Sequence, residues 1–274
     1  MRDVLIIEAN NSSRQYWRDL WRYRELFRVL AWRDLAVRYK QTALGIAWAV
    51  IRPALMLAIL TFVFSNLARL PAGGDTPYPA LVFAGLLPWM LFSTALSEAS
   101  DSLVKNANLV SKVYFPRLIV PSAAVVVAFA DFLISLGLCL VLFVALGVTP
   151  DWRILLMPAF AALAFLASVG PALWLAAMNV EYRDFRYVVP FLIQLGVYVS
   201  PVGYSTEIVP ENLRLLYSLN PMVGVIDGFR WCLLGGEEPL YLPSLLLSAS
   251  VSALTLWFGL GRFRKMERRF ADVI

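Results

Sequence analysis

Three cations, Arg38, Lys40 and Arg52, bracket the point at which the chain turns from charged and aromatic to almost wholly hydrocarbon. A guanidinium presents a planar fork of N–H donors that fits two phosphate oxygens at once, and an ammonium adds a compact charge. At the start of an apolar run such groups lie at the depth of lipid head groups, so the chemistry they fit is the holding of a phosphate-like anion. Snorkelling to ordinary lipid phosphates is the plainer use. It suits Lys40 better than Arg52, which falls inside the first apolar run and would cost a few kcal/mol there unpaired. Asp131 is the one acid well inside an apolar run, and a carboxyl at that depth is a functional candidate by default. Without a histidine or lysine partner it makes a poor proton relay, and a packing hydrogen bond to a nearby serine or backbone group is its plainer role.

Other chemistries find little support. The chain contains no histidine, which removes the commonest general base and metal ligand. Cys139 and Cys232 fall in different apolar runs without metal-ligand spacing, so both read as packing residues. A glycine-rich phosphate loop followed by Lys-Ser/Thr is absent, as are a nucleophile elbow and a persuasive pair of carboxylates. Neither ATP binding by that route nor catalysis is expected, and no cofactor or metal.

The elements that hold these residues belong in a membrane. Apolar residues make up 60% of the chain and charged ones 16%, with a mean hydropathy of +0.69; soluble domains carry nearer a quarter charged residues. Residues 1–15 are polar and show no apolar core of a cleavable signal peptide. From Tyr16 to Ala31 apolar side chains recur at steps of three and four, with Arg18, Arg22 and Glu25 opposite. This predicts an imperfect amphipathic helix that, with Trp17, Trp21 and Trp32, suits the membrane interface or a soluble partner. Six spans of about twenty apolar residues are predicted at 46–67, 79–97, 120–146, 154–178, 187–203 and 242–261. The third is long enough to need tilt, and the fifth is short and ends at Ser200-Pro201.

Charge orients the spans. With both termini inside, the inner segments hold 19 of the 24 Lys and Arg residues and the outer ones 4, Arg52 being the remaining one. The net charge of +5 therefore reads as membrane orientation rather than nucleic-acid binding. Residues 213–234 are mostly apolar but broken by Asn220-Pro221, Gly224 and Asp227-Gly228, so each half is too short to span. Two half-helices dipping into the outer face are expected, since a kinked seventh span would put the basic tail outside. Asp227 and Arg230 share a helical face that would look to water, with Val225, Phe229 and Trp231 lining or plugging an opening. No repeat relates the two halves of the chain, which disfavours an inverted-repeat secondary transporter. The predicted class is an all-α integral membrane protein of six spans. Residues 1–45 form a cytoplasmic tail and interface helix, 46–261 the transmembrane domain with a re-entrant outer segment at 205–236, and 262–274 a basic cytoplasmic tail.

Two short inner segments, residues 105–117 and 179–186, alternate charges with rings. They read as solvated turns or as small charged helices that dock in a cleft of a soluble subunit.

Five motifs in order carry a resemblance: Arg38-Tyr39-Lys40 with Leu44-Gly45-x-x-Trp48 and Arg52-Pro53; Gly85-Leu86-Leu87-Pro88-Trp89; Asn108-Leu109-Val110-x-Lys112-x-x-Phe115-Pro116-Arg117; Asn179-Val180-x-Tyr182-Arg183-Asp184; and Leu219-Asn220-Pro221. Together they resemble the permeases of ATP-binding-cassette exporters of the type-2 class. The subfamily that exports lipid-linked polysaccharides, such as O-antigen, capsule and teichoic acid, is the most similar. Residues 1–15 and those from Gly261 onward carry no such motif. The resemblance implies a homodimer in the bacterial inner membrane, paired with two soluble ATPase subunits. It also implies a substrate carried on an undecaprenyl diphosphate anchor. On that basis Lys112, Tyr114, Phe115, Arg117, Glu181, Tyr182, Arg183 and Asp184 are expected at the ATPase contact, and Arg38, Lys40 and Arg52 at the diphosphate. Trp89, Phe92, Phe129, Trp174, Tyr198 and Tyr204 are expected to line a sugar-conducting channel, since ring faces stack while tolerating sliding. Pro221, Phe229 and Trp231 are expected at an outer gate. An exporter of drugs or small lipids is the alternative within the class. A membrane enzyme acting on polyprenyl-phosphate sugars is a weaker one, for want of a base.

Overall fold

The computed structural model describes residues 13–40, 47–70, 76–149, 151–236 and 240–270, and among them the regular elements are all helical. The helices are α1 (Ser13–Arg22), α2 (Arg24–Lys40), α3 (Ala47–Thr61, continued as a π-helical stretch Phe62–Leu67), α4 (Tyr78–Lys105), α5 (Ala107–Lys112) and α6 (Ile119–Leu146). After a 3₁₀ turn (Trp152–Leu156) follow α7 (Met157–Glu181), α8 (Phe185–Val199), α9 (Glu211–Tyr217), α10 (Pro221–Leu233) and α11 (Leu242–Met266). Five described stretches are long and apolar enough to cross a membrane: Ala47–Leu67, Tyr78–Lys105, Ile119–Leu146, Trp152–Glu181 and Leu242–Met266. The sixth apolar helix, α8, has 15 residues and reaches about 22 Å, short of the roughly 30 Å hydrocarbon layer. The protein is a helical membrane protein of about six spans.

α4 is the helix around which the others pack. Its residues Ala80 to Leu87 are all buried, and it touches α6, α7, α10, α3 and α8. Hydropathy ends this span at residue 97, yet the helix runs on to Lys105. Glu98 and Asp101 break the apolar run, but Ala99, Ser102 and Leu103 between them are buried, so packing extends the helix where composition stops it. The same effect carries α7 to Glu181 and α11 to Met266.

Without the hydrophobic drive of water, helices in lipid associate where small side chains let backbones approach. Gly170 of α7 and Gly259 of α11 make such a contact: a Cβ on Gly170 would lie 2.5 Å from the backbone of Thr255 and Leu256. Along α11, Ser244, Ser248 and Ser252 are buried. Ser248 Oγ accepts from the Gly224 N–H (3.1 Å), and Ser218 donates to Ser244 (2.8 Å).

The expected amphipathic helix differs in extent. It is two helices joined at Tyr23, and the second runs past Ala31 to Lys40, so Arg38 and Tyr39 stand on a helix. Leu30 and Ala31 are buried in a second core with Phe115, Leu118, Ile119, Phe263 and Phe270, at the end of the bundle where α4, α7 and α11 finish and α6 begins. Trp17, Trp21 and Trp32 remain exposed.

The break within residues 213–234 falls where the sequence places it. Asn220 is extended (φ −73°, ψ 112°), its Oδ1 accepts the Met222 N–H, and Pro221 opens α10. The environment does not follow the expectation. Met222 to Arg230 are all buried, so the face shared by Asp227 and Arg230 points into the bundle and not to water. Thr206 Oγ1 donates to Asp227 (2.5 Å). The Arg230 guanidinium, wholly enclosed, donates to the carbonyls of Leu81 (3.3 Å), Tyr204 (2.8 Å) and Val202 (3.1 Å).

Candidate functional site

A cavity of about 770 Å³ opens between α2, α3, α4 and α6 toward the basic end of the bundle. α2 supplies Arg33, Asp34, Arg38 and Tyr39, α3 Trp48, Arg52 and Pro53, α4 Thr94, Glu98 and Lys105, and α6 Asp131, Phe132 and Ser135. Arg38 is its hub. One guanidinium nitrogen lies 2.6 Å from Asp131 Oδ2 and another 3.2 Å from Glu98 Oε1. Tyr39 donates its hydroxyl to the other Asp131 oxygen. Burial, reinforced by that bond, holds the Tyr39 phenol above its usual range, so it stays a donor. Lys105 reaches Glu98 (3.2 Å) and Asp101 (3.8 Å), and Arg33 reaches Asp34 (2.7 Å) and Asn106 (2.8 Å).

Asp131 has no histidine or lysine partner, but in place of the packing bond to a serine or backbone group it meets Arg38 and Tyr39. Its partners sit on α2, and a separation of 92 or more residues hides them from any local pattern. Of the three expected diphosphate ligands, Arg38 is engaged by two carboxylates, whereas Arg52 lines the cavity with an exposed side chain and, among the described residues, joins no ion pair. The side chain of Lys40 lies outside the described residues.

The other expected site residues separate. In the segment after α5, Lys112 and Tyr114 are exposed, but Phe115 is buried in the second core. Arg117 is turned toward Glu267, with its N–H on Glu267 Oε1 (2.6 Å) and its guanidinium on the Glu267 carbonyl (3.0 Å). These two residues support a surface; they do not form it. Glu181, Tyr182, Arg183 and Asp184 are all exposed. Asn179 beside them is buried and donates to the Ser100 carbonyl (3.0 Å) and Asp101 (3.1 Å), which ties the end of α7 to α4.

None of the six expected channel rings lines the cavity, whose aromatic side chains are Tyr39, Trp48 and Phe132. Trp89 is buried, stacked near Phe92 (5.6 Å) and close enough to Gly196 that a Cβ there would meet its ring. Phe129 pairs with Phe132 (5.7 Å) and Trp174 with Phe258 (5.9 Å). Tyr204 bonds Tyr217 (2.9 Å) and the carbonyl of Tyr198, itself exposed. Sequence gives each ring a depth along its helix but not the direction it faces. Of the expected gate, Pro221 starts α10 and Trp231 is half-buried under the Arg153 guanidinium (5.2 Å). Phe229 is wholly buried, edge-on to Phe132 (6.0 Å), and is a core residue.

Residues 25–234, which contain the whole cavity lining, match the family described as ABC-2 type transporter. The chain belongs to the ABC-2 type transporter family. It is similar along nearly its full length to the O-antigen export system permease protein RfbA of Myxococcus xanthus, 32% identical over 94% of this chain and 98% of that one. A Klebsiella pneumoniae protein of the same name is 27% identical, covering 91% and 95% respectively. The polysialic acid transport protein KpsM of Escherichia coli is 22% identical over 86% and 91%. The cavity is strongly charged. It brings together four cations (Arg33, Arg38, Arg52, Lys105) and three acids (Asp34, Glu98, Asp131), of which the sequence motifs signalled only Arg38 and Arg52 as anion ligands. Glu98 and Glu267, each joined to partners remote in sequence, carry no local signal, and for Arg230 the spacing signals Asp227 but not the carbonyls of Leu81, Tyr204 and Val202.

Proposed function

We propose that the chain is the permease subunit of an exporter that moves a polysaccharide across the bacterial inner membrane on a lipid diphosphate anchor. The observation that carries this reading is the cavity: it is roomy, lies at the level where the charged helices meet the apolar ones, and holds in Arg52 a guanidinium with no ion pair among the described residues. A diphosphate arriving there adds charge to a site with one more cation than acid, and a guanidinium fork fits its oxygens. The names of the relatives support the class of cargo, and O-antigen is the leading candidate.

The basic end faces the cytoplasm, as the charge asymmetry favours. Two copies of the chain associate, and each receives a soluble ATP-binding-cassette subunit on the exposed residues Lys112 and Tyr114 and on the exposed turn Glu181 to Asp184. α9 and α10 enter from the outer side and return, with Pro221 at the break and Trp231 near the exit. Exposed rings such as Tyr198 and Phe129 line the path between the two copies.

The reading is tested by isolating the chain with its ATPase. A soluble ATPase subunit is expected to co-purify, and its hydrolysis to rise when undecaprenyl-diphosphate-linked polysaccharide is added. Replacing both Tyr182 and Arg183 by Ala is expected to leave the permease inserted while cutting export at least tenfold relative to hydrolysis, a coupling loss within the ordinary range. Normal export with the ATPase still bound would remove these residues from the contact. Stimulation by small lipids or drugs but not by the lipid-linked glycan would move the chain to a different cargo.

A further inference from the structure

Glu267 joins three parts of the chain that are far apart in sequence. It follows α11 as the first residue of a 3₁₀ turn (Glu267–Arg269) and is buried. Oε2 accepts the Tyr16 hydroxyl from α1 (2.9 Å), and Oε1 accepts the Arg117 N–H from the segment after α5 (2.6 Å). Its carbonyl accepts the Arg117 guanidinium (3.0 Å), and Arg264 lies over the Tyr16 ring at 4.8 Å. Burial pushes the carboxyl above its usual range, while the Arg117 N–H and Tyr16 hydroxyl pull it back.

An apolar residue would serve packing alone. The surrounding core of Phe115, Leu118, Phe263 and Phe270 is already closed, with Phe263 and Phe270 edge-on at 5.5 Å. A buried carboxylate with both oxygens bonded in different directions fixes register as well as contact. The fixed register also leads somewhere. The Tyr23 N–H bonds the Asp19 carbonyl (2.9 Å) and the Phe27 N–H bonds the Tyr23 carbonyl (3.2 Å), so helical bonding runs through the joint between α1 and α2. From Tyr16 to Arg38 is about 33 Å of helix, and Arg38 is held in the cavity by Asp131 and Glu98.

We propose that Glu267 is a positioning residue that makes α1, and through α2 the Arg38 wall of the cavity, move with the segment that ends at Arg117. The proposal rests on the reading that this segment receives the ATPase subunit. ATPase closure then displaces residues 112–117, the Arg117 N–H carries Glu267, and Tyr16 carries the helix that bears Arg38.

A spatial chain of contacts is not itself coupling, so the test is a double-mutant cycle in the whole complex. Tyr16→Phe removes one hydroxyl and keeps the ring against Trp17. Glu267→Gln keeps the volume and one acceptor. Each variant, and the pair, is reconstituted with the ATPase in vesicles and supplied with undecaprenyl-diphosphate-linked polysaccharide. Polysaccharide moved per ATP hydrolysed is expected to fall roughly fivefold or more in each single variant. The double variant is expected to lose no more than the worse single one, with ATPase binding unchanged. Unchanged transport per ATP in Tyr16→Phe overturns the proposal, as do losses that simply add. If Glu267→Gln yields no folded protein, Tyr16→Phe decides alone. The underlying contact is read separately, from the ATPase retained on a Lys112→Ala/Tyr114→Ala variant: full retention with normal export sinks the contact reading, not the bond at Glu267.

Discussion

Arg230→Met is expected to cost the chain its assembled form. The side chain is wholly buried and supplies donors to the carbonyls of Leu81, Val202 and Tyr204. These belong to α4 and to the irregular stretch between α8 and α9, so a single guanidinium fastens the break after Ser200 to the central helix and to α10. Methionine matches the apolar stem but removes the donors to these three carbonyls, two of them in buried bonds and one in a part-buried bond, at about 1–3 kcal/mol each. Their sum approaches the whole stability of an ordinary domain, about 5–15 kcal/mol. The solubilised variant should lose its monodisperse elution peak, or its melting midpoint should fall by many degrees. Arg230→Lys keeps the charge with a point donor in place of a fork and should fall between. A Met variant as stable as the parent would show that the outer segment is held by packing alone.

The second large effect concerns the cavity charges, whose removal should act in opposite directions. Arg52→Ala is expected to raise the concentration of lipid-linked glycan that half-stimulates ATP hydrolysis by about 10- to 100-fold, the weight of one or two charge-assisted hydrogen bonds. Arg52→Lys should recover part of that loss. Asp131→Asn should lower the half-stimulating concentration, because Arg38 loses the carboxylate at 2.6 Å and is freer to meet an anion. Snorkelling of Arg52 to ordinary lipid phosphates predicts no change in any of the three. A common loss in all three would mean a structural role for the network, not an anion site.

Much of the frame was legible in the sequence because lipid enforces it. Apolar runs of spanning length must be helices, and Asn220-Pro221 must break one, since proline removes a donor and restricts the residue before it. The span limits erred where charge and packing disagree, as in the last turns of α4 around Glu98 and Asp101. The site was legible only in part. Arg38 and Arg52 announce themselves by charge at an apolar boundary, but whether such a charge is free is a matter of tertiary contact. Asp131, set 93 positions from Arg38, gives no local sign of that partner. Which rings face a path and which face the core is hidden for a related reason. In a chain this rich in aromatics, Trp89 of the expected channel and Phe229 of the expected gate fill the core, and only the three-dimensional packing distinguishes them from exposed Tyr198. The spacing of Asp227 and Arg230 gives a shared face but not its burial, and the carbonyls of Leu81, Tyr204 and Val202 that Arg230 meets are backbone, which leaves no mark in side-chain spacing.

The anionic head of a lipid-linked glycan is expected to enter the cavity between α2, α3, α4 and α6. A photo-crosslinking side chain at Thr94, on the cavity wall, tests it most directly when compared with one at Trp257, exposed on α11 away from the lining residues. The complex is incubated without ATP in membranes containing undecaprenyl-diphosphate-linked polysaccharide, irradiated, and probed for glycan on the permease band. A glycan adduct is expected at Thr94, weakened by Arg52→Ala, with only background at Trp257. Equal adducts at both positions, or none at Thr94 in a complex that still transports, would contradict it.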